Sequence, residues 1–266
     1  QPPVGGIMVK DVYKTYPEDW FLEATFNDLL GWNRWWHRSR NNEGLLSYGS
    51  SPADNPFNEP VFETKTAAGY ESGMDDSPMY IGVPFNKKKH TLELQDVGLT
   101  SLYIADCRAL AEMAGILKRK KEQKELESRA KQYSLKMEEL WSPEFGAYLN
   151  YRTDVDSLST RVSPTLFYPL MAKVGNDEKN EIILEHFYNP EEFYGEWMLP
   201  STTRNDPTFS QQRYWKGAIW PPLNFLTYLS LRQAGYTDAA TELSEKSLKL
   251  IMTEWTRKGY VSENYS

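Results

Sequence analysis

Two kinds of segment alternate along this chain: pairs of helix-period stretches joined by short turns, and long irregular stretches between the pairs. Leu99, Leu102, Tyr103, Ala105, Leu110, Met113 and Leu117 fall near i, i+3, i+4 spacing and predict a helix over 94–119. A partner over 122–141 carries Leu126, Ala130, Tyr133, Met137 and Leu140 inside. Further pairs are predicted over 163–173 with 176–188, and over 221–233 with 237–258. Ser163 and Pro164 suit the start of the first, and Ala234-Gly235-Tyr236 suits a helix end in the second. An earlier helix, 17–40, opens on Pro17-Glu18-Asp19, a proline and two acids fitted to a first turn. Pro143-Glu144-Phe145-Gly146 turns the chain into a short strand at 147–152, half of a small hairpin. No parallel-sheet alternation appears.

The irregular stretches are 41–90 and 189–217, rich in Gly, Pro, Ser, Asn and Asp. Ordinary connections run to about 4–6 residues, and much longer ones are functional or disordered. Tyr48, Phe57, Phe62, Tyr70, Tyr80 and Phe85 are spread through 41–90 and argue against disorder there. Paired helices with long loops on one side and short turns on the other predict an all-α toroid, the long loops gathered over one end of the ring. A closed ring of six pairs needs more helices than are visible here. The chain also opens at Gln1-Pro2-Pro3 without a Met. Residues 1–266 therefore read as a single, incomplete toroid domain, the rest of the barrel being supplied by sequence outside them.

Hydrophobic residues make up 40% of the chain, enough for one large core. The net charge of −7, with one dense basic run at 118–121 that reads as a solvated helix face, points away from nucleic acid. No run of 18 apolar residues is present, so no membrane span is expected. Cys107 is the single cysteine, which excludes an internal disulfide and a thiolate metal site. The 9 Trp and 17 Tyr are the unusual numbers, because aromatic rings also form platforms for the apolar faces of sugars.

Three clusters carry candidate chemistry. Tyr70-Glu71-Ser72-Gly73-Met74-Asp75-Asp76-Ser77-Pro78 sets two adjacent carboxylates, and a third four residues before, in a turn in the middle of the first long loop. Glycosidic cleavage needs a carboxyl group that still holds its proton near neutral pH, a state that burial and neighbouring carboxylates favour. On composition alone, Asp/Ser/Pro clusters are ordinary turns. Tyr214-Trp215-Lys216-Gly217-Ala218-Ile219-Trp220-Pro221-Pro222 enters a helix, so both Trp could face a cleft, or Trp220 could staple the helix to the core. Ser262-Glu263-Asn264-Tyr265, read alone, is a frayed terminus.

Together, in this order and spacing, the three clusters resemble glycoside hydrolase family 63 and its bacterial relatives, which include mannosylglycerate and glucosylglycerate hydrolases; family 37 trehalases are more distant. The resemblance covers nearly the whole chain and extends to Gln1-Pro2-Pro3 and to 141–146 leading into Tyr148. It implies an (α/α)6 six-hairpin barrel and an inverting α-glycosidase acting on an α-glucoside or related α-linked sugar, of oligosaccharide or glycosylglycerate type. Asp75 is the implied general acid and Glu263 the implied general base. Inversion suits carboxylates on two distant loops, since a water must fit between base and sugar, at roughly 6.5–9.5 Å between carboxyls. Trp215 and Trp220 are implied near the sugar, with Lys216, Gly217 and Tyr265 in the same motifs, and Glu71 and Asp76 orienting the site or bonding sugar hydroxyls. Trp32, Trp35, Trp36, Arg34 and Gln1 are further candidates. The helix bearing the three Trp is expected to be an inner one with at least one Trp in the cleft. Some relatives bind calcium, which stays open here although no Asp-x-Asp-x-Asp-Gly run occurs, and no other cofactor is expected.

Two rival readings stay open: a non-catalytic carbohydrate-binding toroid, and another toroid enzyme such as a polysaccharide lyase. A binding module needs neither Asp75 nor Glu263. A lyase needs a Tyr/His or Arg constellation, and His37, His90 and His186 sit in no motif. The sugar, the linkage and the compartment (periplasmic or secreted against cytoplasmic) are left undecided.

Overall fold

A computed structural model describes residues 2–51 and 64–266. Gln1, Phe57 and Phe62 lie outside the described residues. The helices are α1 (Gly5–Thr15), α2 (Asp19–Arg40), α3 (Lys65–Ser72), α4 (Val97–Ile116), α5 (Lys120–Met137), α6 (Tyr168–Ala172), α7 (Asp177–Tyr188), α8 (Pro221–Ala234) and α9 (Thr237–Lys258). The all-α architecture expected from the sequence is present, with small two- and three-stranded sheets between the helices.

Helix α4 is apolar almost all round and buried on every side, which is how a helix inside a core reads. It packs against α1, α2, α5 and α6; α6 packs on α8, and α8 on α9. Helices α1, α4, α6 and α8 thus form an inner row, and α2, α5, α7 and α9 lie outside it. This arc supplies eight of the helices of a six-hairpin ring. The segments that enter the inner helices, 73–96 before α4 and 189–220 before α8, lie at the inner helices' N-terminal ends.

Several local expectations are corrected. Helix α2 is an outer helix: Leu22, Phe26, Leu30, Asn33, Trp36 and Arg40 make one buried stripe, and the opposite face meets solvent. Helix α1 has no counterpart in the sequence reading, because Gly5 and Gly6 at its start argue against a helix there. Their role is proximity. A Cβ on Gly5 would come within 2.5 Å of Leu29, and one on Gly6 within 2.7 Å of the Asp106 carboxylate. The stretch 41–90 holds helix α3 and two tiny hairpins, Asn41–Asn42 with Leu45–Leu46 and Phe85–Asn86 with Thr91–Leu92. The strand at 147–152 is two strands. Ala147–Tyr148 pairs with Trp141–Ser142, while Asn150–Arg152 bridges Leu94–Gln95 and Ser157–Ser159. Over 163–173 the chain makes a 3-10 turn, Pro164–Phe167, before the short α6, whose second residue is Pro169. No helix among the described residues is long and apolar enough to cross a membrane.

A buried polar knot joins inner and outer rows. Asp106 of α4 accepts from the Gly6 amide and from Asn33 Nδ2 of α2, each at 2.8 Å. Arg129 of α5 donates to Asn33 Oδ1 at 3.0 Å and to Glu125 at 2.7 Å. Burial pushes the Asp106 carboxyl up to about 7, against the pull of the Asn33 and Gly6 hydrogen bonds. The folded state then holds a proton on Asp106 that the unfolded chain gives up near the ordinary Asp value. Its stabilising effect is fully present below that value and is lost as pH rises toward 7. Asp96, pushed by burial to about 6, acts in the same direction. Denaturant titrations should therefore show stability falling from about pH 4 upward, with up to about 1.4 kcal/mol per pH unit from each group, Asp96 contributing to about pH 6 and Asp106 to about pH 7. Asp106→Asn should remove part of that slope; an unchanged slope would contradict the assignment.

Candidate active site

The acid-rich turn is built from helix α3. Thr64 caps its start, accepting from the Ala67 amide at 3.3 Å, and Gly73 ends it in the left-handed conformation at φ 72°. Ser72 Oγ donates to the Gly69 carbonyl at 2.6 Å and accepts from the Met74 amide at 3.0 Å, which folds the chain back on the helix. A Cβ on Gly69 would stand 2.8 Å from the Asp75 carbonyl, so the turn lies directly against the helix backbone. Met74 and Ser77 are buried, whereas Asp75 and Asp76 are half-buried.

The tryptophan motif comes to meet it. Trp215 and Trp220 stack with ring centroids 3.8 Å apart and planes 7° from parallel, and Trp220 Nε1 donates to the Tyr214 carbonyl at 2.9 Å. Asp76 ties the two loops together: it accepts from the Trp215 amide at 3.3 Å and pairs with Lys216 at 2.9 Å. Gly217, at φ 105°, donates its amide to Ser201 Oγ at 3.1 Å. Trp220 then stands at the N-cap of α8, with Pro221 in the first turn.

The terminal cluster is ordered, not frayed. Tyr265 and Ile219 exchange both backbone hydrogen bonds, at 2.7 and 2.9 Å, and Tyr265 is buried. Two residues before it, Glu263 is exposed beside the tryptophan motif. Tyr214 reports on both acids at once. Its hydroxyl donates to Asp75 Oδ2 at 3.2 Å. Its phenol is raised above the ordinary tyrosine range by partial burial, by the charge of Asp75 and the bond to it, and by the charge of Glu263.

Asp75, Asp76, Trp215, Lys216, Gly217, Trp220, Glu263 and Tyr265 are thus brought to one end of the arc. Glu71 stands one helical turn behind, held by Arg40 and by the Gly49 amide at 2.7 Å. Trp35 joins the periphery through Arg40, whose guanidinium lies 4.6 Å over its ring. Other candidates go elsewhere. Arg34 forms a two-toothed pair with Glu125 of α5, at 2.6 and 2.9 Å, because its position on α2 faces the outer neighbour. Trp36 is core, 1% exposed and edge-on to Tyr48, and Trp32 is half-buried against Gly5 of α1. His37 meets Tyr133 and His186 meets Glu192. Among the described residues no cluster of three His, Cys, Asp or Glu side chains could hold a metal ion. The sequence reading missed Tyr214 and Arg40. Tyr214 lies within the tryptophan motif, while nothing local sets Arg40 apart from the other basic residues of α2.

The stacking changes what the two Trp do. Each is 5% exposed, against 37% for Tyr214, so the pair is a packed wall and Tyr214 is its open face. Trp215→Ala should accordingly cost about 3–5 kcal/mol of stability in denaturant titration, the range for truncating a buried Trp. Tyr214→Phe should cost under about 1 kcal/mol, as for a partly exposed hydroxyl. Equal effects would contradict this division.

A family model of the mannosylglycerate hydrolase MGH1-like glycoside hydrolase domain matches residues 1–266. Mannosylglycerate hydrolase MGH1 from Selaginella moellendorffii is 23% identical over 303 residues, covering 94% of this chain and 59% of that protein. The mannosylglycerate hydrolase of Thermus thermophilus is 22% identical over 299 residues, covering 98% and 71%. The crystal structure of a GH63 mannosylglycerate hydrolase from Thermus thermophilus in complex with glucose matches with a TM-score of 0.78 at 21% identity. That match covers 100% of this chain and 69% of the other. Neutral trehalase Nth1 from Saccharomyces cerevisiae matches more distantly, with a TM-score of 0.64 over 76% of this chain and 38% of its own. The structural matches speak to the fold, a six-hairpin α/α barrel, of which this chain spans a part. With a family model matched from end to end, the chain belongs to the mannosylglycerate hydrolase MGH1-like glycoside hydrolase domain family.

Proposed function

We propose that the protein carrying this chain hydrolyses an α-linked glycoside of glucose or a related hexose with inversion, with Asp75 as general acid and Glu263 as general base. The observation that carries the reading is Tyr214, whose phenol is bonded to one acid and lies in the field of the other. This supports a reading in which two carboxylates from distant segments act around one open aromatic face.

In this reading Tyr214 engages Asp75 Oδ2 and leaves Oδ1 to deliver the proton to the glycosidic oxygen as the bond breaks. Glu263, on the separate terminal segment, takes a proton from the water that attacks the anomeric carbon from the opposite side. Glycosylglycerates are the favoured substrates, because relatives at 21–23% identity are named mannosylglycerate and glucosylglycerate hydrolases. A mannosyl-oligosaccharide glucosidase of Saccharomyces cerevisiae, 30% identical over 106 residues, keeps α-glucosyl oligosaccharides on the list.

The test is a substrate panel of mannosylglycerate, glucosylglycerate, trehalose, kojibiose and nigerose, followed by NMR. The β-anomer should appear first from an α-glycoside. Asp75→Asn and Glu263→Gln should each lower turnover by at least about 100-fold, the lower range for general acid–base catalysis. Asp75→Asn should spare substrates with good leaving groups, while Glu263→Gln should impair all alike. Appearance of the α-anomer first would make the carboxylates a nucleophile pair and overturn the role given to Glu263.

A further inference from the structure

Arg40 is the last residue of α2, and its guanidinium is almost wholly buried at the foot of the acid-bearing helix α3. Its Nη2 stands 2.5 Å from Glu71 Oε1 and its Nε 2.7 Å from Glu71 Oε2, the fork-to-fork geometry of a strong carboxylate pair. Nη1 donates to the Ser39 carbonyl at 3.0 Å, and the guanidinium plane is backed by the Trp35 ring. On the other side, Glu71 Oε2 also accepts from the Gly49 amide. A Cβ on Gly49 would meet the His90 carbonyl at 2.2 Å and Arg40 Nε at 3.1 Å, so this junction has no slack. Glu71 lies in the last turn of α3, and the Gly69–Asp75 backbone contact carries that turn's position on to Asp75.

We propose that Arg40 is a positioning residue for the acid: it fixes Glu71, and through the last turn of α3 it fixes where Asp75 points. The inference rests on the reading of Asp75 as general acid. An outer helix thereby sets the geometry of a proton donor whose own loop has little core of its own. A displacement of about 1 Å at a reacting group costs up to about 100-fold in rate, so a mount of this kind should be visible in kinetics before it is visible in folding.

The experiment compares Arg40→Lys, Arg40→Met and the double variant Arg40→Met/Glu71→Gln in the full-length protein, on aryl α-glycosides whose leaving phenols span strongly to weakly acidic. The double variant is included because a lone buried Glu71 could prevent folding, whereas a neutral pair of similar volume is tolerated better. For the weakest-acid leaving groups, kcat should fall at least tenfold in Arg40→Met and in the double variant. It should fall less than threefold for the most activated, with KM within about twofold throughout. Arg40→Lys should lie between, since an ammonium cannot reproduce the fork. An equal loss on every substrate, or failure of both Met-bearing variants to fold, would assign the pair to stability alone and overturn the proposal. Asp75→Asn serves as the separate control: if it shows no leaving-group dependence, the assignment of the acid fails, whatever Arg40 does.

Discussion

Ile219 and Tyr265 trade a pair of backbone hydrogen bonds, and the shape of the site depends on that exchange. Without it, the residues after α9 would be an exposed tail, and Glu263 would have no defined place. With it, the terminal segment is tied by a single β-bridge beside the entry to α8, where Trp220 occupies the N-cap position and Trp215 stacks on Trp220. The stacked pair holds the Tyr214 carbonyl through an indole N–H, and Tyr214 in turn reaches Asp75. A chain of short-range contacts therefore joins an acid from the first third of the sequence to the segment that carries Glu263 near its end. Asp76, bonded to Lys216 and to the Trp215 amide, provides a second tie between the same loops.

The rest of the molecule supports these loops from below. Helix α4 is the shared wall for α1, α2, α5 and α6, and its burial leaves few ways to shift it without disturbing all four. Polar groups inside this packing are spent on registry. Asp106, Asn33 and Arg129 lock α1, α2, α4 and α5 to one another, while Asp96 caps α4 by accepting from the Leu99 amide at 2.8 Å. The loops are long because they must cross from outer helix to inner helix over the top of the arc. Their described parts are held by tight turns, by buried side chains such as Met74, Met79 and Tyr80, and by the Lys216–Asp76 ion pair.

Much of this was legible in the sequence, for physical reasons. Apolar residues at helical spacing mark α4 and α5, since a helix packed on a core must present that pattern. The pairing of helices and the length of 41–90 and 189–217 pointed to the toroid and to the end that carries function. The failures have causes as well. Helix α1 hid behind Gly5 and Gly6, whose value is close approach and not helix propensity. The three Trp of α2 suggested an inner helix because aromatic density resembles a binding face, but Trp36 is core and Trp32 packs on α1. Arg34 and Arg40 lie on the same helix, and only the register of the stripe separates the one paired to α5 from the one paired to Glu71. Long-range partners of this kind, like the pairing of Tyr265 with Ile219, leave no local trace in a sequence.

The central proposal is that Asp75 and Glu263 act from opposite sides of a bound sugar, with a water between Glu263 and the anomeric carbon. A crystal structure of the full-length protein with a hexose bound at the Tyr214 face measures this most directly. The account predicts the two carboxyl groups on opposite sides of the anomeric carbon, at a separation of roughly 6.5–9.5 Å. A separation of about 5 Å, the spacing of a retaining pair, or a sugar bound away from both acids, would contradict it.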